Sequence, residues 1–219
     1  VLLFMIYLLH TIFMTYIFGN PTYNHIKAIQ DSILVQEWSK NGLLSPLMNV
    51  PYPDETTTRN ELLHMVELSN GMDSVRMEEN NLIHSHLYDY WSHYLESLGV
   101  TIPAVELENS IIQYEPITDF LKLHYNRPRP AQMAGVLGVP LYPRLDWGNG
   151  PNDASYPSGH TFLSLCIYQI VGNIHPEIKS DLMKMVLNIK LSREELGVHY
   201  PSDGVFSFQI FKHLRPHIV

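Results

Sequence analysis

Apolar residues recur every three or four positions along most of this chain, the spacing that gathers them on one face of an α-helix. Alternating apolar and polar positions, the pattern of half-buried strands, are scarce. A further helix is predicted to start at Thr58, which has capping-box spacing to Glu61 ahead of an apolar run. The pattern therefore predicts an all-α fold, a helical bundle with its longer helices over residues 23–40, 74–98, 104–125, 157–174, 176–196 and 201–214.

Prolines and glycines separate these segments. Residues 43–54 are predicted to form an extended linker, and residues 130–154, which are rich in both residue types, a long loop. A loop of this length inside a compact domain is usually functional. The breaks divide the chain into an apolar segment over residues 1–19, a helix and proline-rich linker over 20–54, and one domain over 55–219.

Residues 1–18 are almost entirely apolar, and their number is near the lower limit for a membrane-spanning helix. No basic flank precedes them, no small-residue cleavage site follows, and the missing initiator Met suggests a truncated N-terminus. Three interpretations stay open: a membrane anchor, a retained signal-type segment and a buried packing helix. We expect an exported, periplasmic or membrane-anchored protein rather than a cytoplasmic one. A multi-span architecture is excluded, because no second apolar stretch of comparable length follows.

Composition narrows the classes of partner and cofactor. The net charge of −8, without a basic stripe, argues against nucleic acid. Cys166 is the only cysteine and is predicted to lie in the core. His84, His86 and His93 do not suggest a metal site. His84 and His86 point apart on a helix, and His86 and His93, which share a face, have no third ligand beside them. The histidines are therefore interpreted as packed or solvated, and nothing in the sequence indicates an oligomeric state.

Three short polar clusters stand out against this acidic background. They are Lys122 with Arg129-Pro130, the run from Tyr156 to Thr161, and Ser192-Arg193 followed by His199 and Asp203. A phosphoryl group in transfer spreads negative charge over its oxygens, and the protein mainly has to position and neutralise it. Lys122, Arg129 and Arg193 are suited to this, since a guanidinium can hold two oxygens at once. The clusters together predict a phosphate-handling site.

The second cluster is expected to form a helix N-terminus. Pro157 favours the first helical position, which would place Ser158, Gly159 and His160 in the opening turn. Free backbone N–H groups at a helix N-terminus bind anions. Gly159 would let the backbone approach a phosphate oxygen, and Ser158 would add a hydroxyl donor.

The third cluster supplies a histidine with a carboxylate in reach. Pro201 predicts a helix start, so that Asp203 lies in its first turn, four residues after His199. The carboxylate could then accept the Nδ1 proton of His199 and leave Nε2 free to attack. His199 and His160 form the natural pair for attack and protonation near neutral pH.

The order and spacing of these clusters resemble the type 2 phosphatidic acid phosphatase (PAP2) superfamily, which includes bacterial class A acid phosphatases, membrane lipid phosphatases and vanadium-dependent haloperoxidases. Residues 50–53 (Val-Pro-Tyr-Pro) and Arg127 are also similar to class A acid phosphatases, which suggests Arg127 as a secondary phosphate contact. The matching pieces are Lys122-(six residues)-Arg129-Pro130, Pro157-Ser158-Gly159-His160, and Ser192-Arg193-(five)-His199-(three)-Asp203.

The resemblance implies a helical bundle of this type with the active site at one end, and a phosphatase that uses neither metal nor cofactor. His199 would attack phosphorus to form a phosphohistidine, and His160 would protonate the leaving alkoxide and then activate water. The substrate would be a small phosphorylated molecule or a lipid phosphate, and the pH profile bell-shaped. Vanadate would bind as a phosphate analogue.

Three alternatives remain. In a vanadium-dependent haloperoxidase the same cations would hold vanadate and His199 would ligate it, although such enzymes are typically much longer. The apolar residues 1–18 keep a membrane-associated lipid or isoprenoid phosphatase in view. An inactive binding module that retains the fold is disfavoured, because such proteins usually lose a site residue.

Overall fold

The computed structural model describes residues 26, 29–142, 144–145 and 153–219. Within these residues the chain forms helices and contains no strand, which confirms the all-α prediction. The interpretations of residues 1–18 lie outside the described residues. The helices are α1 (Ile33–Lys40), α2 (Glu55–Gly71), α3 (Ser74–Ser85), α4 (Leu87–Ser97), α5 (Ala104–Ile111), α6 (Glu115–Tyr125), α7 (Pro130–Val136), α8 (Gly159–Ile174), α9 (Lys179–Glu195) and α10 (Pro201–Leu214).

Helix α8 is the centre of the bundle. Most of its residues are buried, among them Phe162, Leu165 and Cys166, as expected for a helix that is apolar nearly all round. It packs against α9 and α10, and also contacts α5 and α6. Cys166 lies in this core, as the sequence predicted. The first turn of α8 is thereby held at one end of the bundle, surrounded by the ends of other helices.

The helix predicted over residues 74–98 is two helices. The backbone of His86 leaves the helical region at φ −141° and ψ 51°, so that α3 ends at Ser85 and α4 begins at Leu87. The break lets the two halves pack on different partners: α3 contacts α9, whereas α4 contacts α5. The prediction of one continuous helix was wrong because the apolar spacing alone does not reveal which neighbour each half will meet.

Residues 130–154 are not loop throughout, since residues 130–136 form α7. Pro130 occupies the first turn, the Gln132 side chain accepts the Arg129 backbone N–H at 2.7 Å, and Ala134 is buried. Proline at the start of a helix and the hydrogen bond from the Arg129 N–H to Gln132 offset the low helix propensity of the glycine that follows. Residues 143 and 146–152 of the predicted loop lie outside the described residues.

Other boundaries also differ from the predictions. Helix α2 starts at Glu55 rather than at Thr58, because the Asp54 carboxylate caps it by accepting the Thr57 N–H at 2.7 Å. The helix predicted over residues 23–40 is interrupted at Ser32, which caps α1, while residues 26 and 29–31 are also helical. A 3₁₀ turn over Ile112–Tyr114 interrupts the predicted helix over residues 104–125. Among the residues described, no helix combines the length and the apolarity that crossing a membrane requires.

Candidate active site

A cavity of about 520 Å³ opens at the end of the bundle where α8 begins. Its walls come from α6, from the junction of α3 and α4, and from the chain around α9 and α10. The structure thus brings together six of the residues that the sequence proposed for a phosphate site. They are Lys122, Arg129, Gly159, His160, Arg193 and His199.

Two of the cations share a carboxylate. Lys122 stands in the last turn of α6, and Arg129 is the residue before α7. Both form ion pairs with the side chain of Asp153, and Arg129 Nε also donates to the Asp153 backbone oxygen at 3.0 Å. The two cations lower the pKa of Asp153 against the opposing effect of burial. This carboxylate therefore lies where a phosphate bound by Lys122 and Arg129 would place its oxygens.

Arg193, near the end of α9, is held differently. Its side chain is 2% exposed, and Nη2 donates to Nδ1 of His84 at 2.8 Å. Its Nε and Nη1 meet no acceptor in the described part of the chain. Burial lowers the pKa of Arg193 to about 9, and the charge of Arg129 adds to this effect. A guanidinium that lines a cavity and has two buried donors without acceptors is well suited to bind an anion.

His199 is oriented by contacts on both of its ring nitrogens. Nδ1 lies 3.1 Å from Oδ2 of Asp203, and Nε2 lies 2.9 Å from Nη1 of Arg129. A guanidinium only donates, so Nε2 accepts and the ring proton is on Nδ1. Burial lowers the pKa of His199 well below 6.5, helped by the charges of Arg129 and Lys122. The imidazole is therefore neutral near pH 7, and the lone pair of its Nε2 accepts the hydrogen bond from Arg129 at the cavity.

Asp203 lies in the first turn of α10, as predicted, and is fully buried. Its Oδ2 also accepts the Tyr200 N–H at 3.0 Å, and its Oδ1 accepts from Arg127 at 2.7 Å. Burial raises the pKa of Asp203 to about 6, opposed by the charge of Arg127. The prediction that Asp203 accepts the His199 Nδ1 proton agrees with this geometry.

His160 lies in the first turn of α8 and is stacked against a second histidine. Its ring is 6.0 Å from that of His84 and inclined by 13°, and its Nε2 is 3.3 Å from the His84 backbone oxygen. Since a carbonyl only accepts, Nε2 carries the proton and Nδ1 is left for a substrate. Burial lowers the pKa of His160 well below 6.5, with a further contribution from Arg193.

The start of α8 differs in detail from the prediction. Pro157, joined to Tyr156 by a cis peptide bond, precedes the helix, and Ser158 is the N-cap. The Ser158 hydroxyl contacts the hydroxyl of Thr161 at 3.0 Å and is fully buried behind the cavity wall. Ser158 therefore stabilises the start of the helix. The sequence had suggested that its hydroxyl would donate to a phosphate. At Gly159 an added Cβ would lie 3.8 Å from Lys122 Nζ, so the backbone of this residue lies close to the Lys122 ammonium group.

Arg127 does not line the cavity, contrary to the secondary phosphate contact suggested by the sequence. It is 1% exposed and pairs with Asp203 and with Glu61 of α2 at 2.7 and 2.9 Å. Its guanidinium also lies 3.7 Å from the centre of the Tyr200 ring. Arg127 thus supports Asp203 from behind, because two buried carboxylates attract it more than the cavity side can.

Several residues at the cavity were not found from the sequence. His84 was interpreted as packed or solvated, and reaches the cavity because α3 ends at Ser85. Asp153 was hidden in the predicted loop. The cavity is also lined on its outer side by the acidic residues Asp89, Glu108, Glu115 and Asp119. Helix periodicity gave no indication of these positions, since they depend on how separate elements pack.

Comparison with known proteins gives one match. Residues 103–210 fit the family model described as the PAP2 superfamily, and no curated protein matches the chain. The matched region begins just before α5, ends within α10 and contains all three polar clusters. Members of this superfamily are phosphatases, which supports a hydrolase. With the all-α fold observed around these clusters, residues 103–210 match the model of the PAP2 superfamily.

Proposed function

We propose that this protein hydrolyses phosphate monoesters without a metal ion, in the manner of an acid phosphatase, through a phosphohistidine at His199. The observation that carries the proposal is that His199, whose Nε2 carries no proton, lines the same cavity as Arg193, a cation without an ion pair among the described residues. Lys122 and Arg129 add two fixed cations. These supply the positive charge that a transferring phosphoryl group requires.

In the first step the phosphate displaces the Asp153 carboxylate from Lys122 and Arg129. The Nε2 lone pair of His199 forms the N–P bond while the P–O bond breaks toward the leaving oxygen. That oxygen takes a proton from Nδ1 of His160. Asp203 stabilises the positive charge that develops on His199, as the carboxylate of a catalytic triad does.

His160 needs a proton on both nitrogens for this role. Its pKa is low in the structure because cations surround a buried ring. A bound phosphate dianion beside it reverses that balance, since an opposite charge nearby favours the protonated form. In the second step water loses a proton to Nδ1 of His160 and attacks phosphorus, the N–P bond breaks, and inorganic phosphate is released.

The test is to replace the nucleophile and to trap the intermediate. We expect His199→Ala to lower kcat by at least about a thousandfold, the scale on which loss of a nucleophile acts. Wild-type protein quenched in alkali during turnover should carry one phosphoryl group on the peptide containing residue 199, and His199→Ala should carry none. His175→Ala, at the far end of α8, is the matched control and should behave as wild type. Full activity of His199→Ala would overturn the proposal.

The same experiment can separate the alternative activities. Vanadate should inhibit phosphate release competitively, as a phosphate analogue. If vanadate and peroxide instead support halide oxidation, a haloperoxidase is indicated. Soluble phosphomonoesters should be compared with lipid and isoprenoid phosphates in mixed micelles, because the residues around the phosphate do not select the alcohol.

A further inference from the structure

His84 and His86 line this cavity and lie outside the matched residues 103–210, and His84 contacts both Arg193 and His160. It occupies the last turn of α3, directly before the break at His86. We propose that His84 is a positioning residue of the phosphatase reaction, which holds Arg193 and His160 in the arrangement that a phosphate requires. This proposal rests on the proposed function.

The contact with Arg193 is made by the side chain. His84 Nδ1 lies 2.8 Å from Arg193 Nη2, and because the guanidinium only donates, Nδ1 is the acceptor. Arg193 is nearly fully buried and forms no ion pair among the described residues. His84 thus satisfies one nitrogen of the guanidinium without neutralising its charge. The full positive charge stays available for an anion in the cavity, which Arg193 lines, and Nε and Nη1 have no acceptor in the described part of the chain.

A carboxylate at this position would act differently. It would pair with Arg193 and compete with phosphate for the same charge, as Asp153 does at Lys122 and Arg129. A neutral imidazole avoids this competition. His84 is kept neutral because burial, followed by the charges of Arg193 and Arg129, lowers its pKa to about 4.

The contact with His160 is made by the backbone and by ring stacking. The His84 carbonyl faces His160 Nε2 at 3.3 Å, and the two rings lie nearly parallel. The carbonyl is a fixed acceptor, so it selects the tautomer of His160 that has its proton on Nε2. Nδ1 of His160 then faces the leaving group, as the proposed mechanism requires.

The position of His84 is itself anchored to the helix that carries Arg193. Arg76 Nε and Asn80 Nδ2, both on α3, donate to Glu195 Oε2 at 2.7 and 2.8 Å. Glu195 follows Arg193 by two residues in α9. Since both ends of the contact are tied to the same pair of helices, the distance between His84 and Arg193 is set by the packing of α3 on α9.

The experiment separates the acceptor from the ring. His84→Asn keeps an acceptor at the position of Nδ1, whereas His84→Phe keeps a flat ring and has no acceptor; both keep the backbone carbonyl. We expect His84→Phe to raise KM and the inhibition constant of inorganic phosphate by about tenfold, the scale of a lost hydrogen bond to a charged group. In His84→Asn, KM and the inhibition constant of inorganic phosphate should both lie within about threefold of the wild-type values. His93→Phe, on the exposed face of α4, is the control and should change neither.

A second measurement does not depend on turnover. Inorganic phosphate should raise the thermal unfolding midpoint of wild type and of His84→Asn. The increase in the midpoint should be much smaller for His84→Phe and His84→Ala. Equal protection in wild type, His84→Phe and His84→Ala would overturn the proposal, as would an Asn variant as poor as the Phe variant. If wild type binds phosphate but hydrolyses no ester, the proposed function fails, and the protection series still decides the role of His84.

Discussion

At the scale of single residues, the cations of the cavity differ in how their charge is balanced. Lys122 and Arg129 share the Asp153 carboxylate, while the Arg193 side chain donates to the neutral His84 and forms no ion pair with the residues that the structure describes. A phosphate can therefore reach Arg193 without breaking an ion pair, whereas Asp153 must first leave the other two cations. Asp153 thus sets part of the cost of binding phosphate.

Replacement of Asp153 by Asn is expected to tighten phosphate binding. The amide removes the negative charge that competes for Lys122 and Arg129. Because a hydrogen bond to a charged group contributes about 1.5–3 kcal/mol, the inhibition constant of inorganic phosphate should fall by about tenfold. Inhibition kinetics at constant pH measure the effect. Asp181→Asn, at the exposed pair with Lys184, should leave the constant unchanged. Weaker binding in Asp153→Asn would show that the carboxylate assists the ligand instead.

At the scale of elements, Arg127 joins the start of α10 to α2. Its two ion pairs reach Asp203 and Glu61, and Glu61 in turn accepts the Ser202 backbone N–H at 2.6 Å. The first turn of α10, which carries the partner of His199, is thereby fixed by a helix outside the matched region. This explains why an arginine so close in the chain to Lys122 and Arg129 does not line the cavity.

Loss of this link should be costly. Arg127→Leu leaves Asp203 and Glu61 without their cation, and removing one partner of a buried ion pair typically costs about 3–5 kcal/mol. We expect a decrease of this size in the free energy of unfolding from urea titration, together with lower kcat. Arg127→Lys should recover only part of the lost free energy of unfolding and of kcat, since an ammonium cannot bridge both carboxylates as a guanidinium does.

The control for this comparison is an exposed ion pair. Lys184→Ala removes the partner of Asp181 at the surface of α9 and should change stability by less than about 1 kcal/mol. If Arg127→Leu is as stable as Lys184→Ala, the buried network does not hold α10 in place.

At the scale of the whole molecule, the buried titratable groups make stability depend on pH. The pKa values of His160 and His199 lie well below 6.5 in the folded protein and near 6.5 in the unfolded chain. As the pH falls below 6.5, these histidines bind protons in the unfolded chain but not in the folded protein. The free energy of unfolding therefore decreases. Asp203 acts in the opposite sense, because its folded pKa of about 6 exceeds the unfolded value of 3.8.

His160 and His199 together outweigh Asp203, so the protein as a whole becomes less stable as the pH falls. We expect the free energy of unfolding to decrease by on the order of 2 kcal/mol between pH 7 and pH 5, measured by urea titration at both values. His199→Gln should show a smaller decrease, because it removes one of the protons taken up on unfolding. A stability that rises toward pH 5 in the wild type would contradict the assignment of neutral, buried histidines.

Much of the fold and of the site followed from local patterns. Helix α10 begins and ends where Pro201 and the apolar spacing predicted, and His199 meets Asp203 because four residues bring two side chains together at a helix start. The break at His86 could not be predicted, since both halves have helical spacing and only their different partners separate them. Helix α7 was interpreted as loop because residues 130–154 are rich in proline and glycine, whereas Pro130 starts the helix.

The sequence by itself determined the all-α fold class and the three clusters whose order and spacing predict a phosphate site and resemble the PAP2 superfamily. Such motifs are readable because helix starts and neighbouring side chains are local properties. Tertiary structure alone decided which groups face the cavity, bringing in His84 and Asp153 and turning Arg127 away. These contacts join residues that are far apart in the chain, and their distances depend on how helices pack and on which buried charges must be paired.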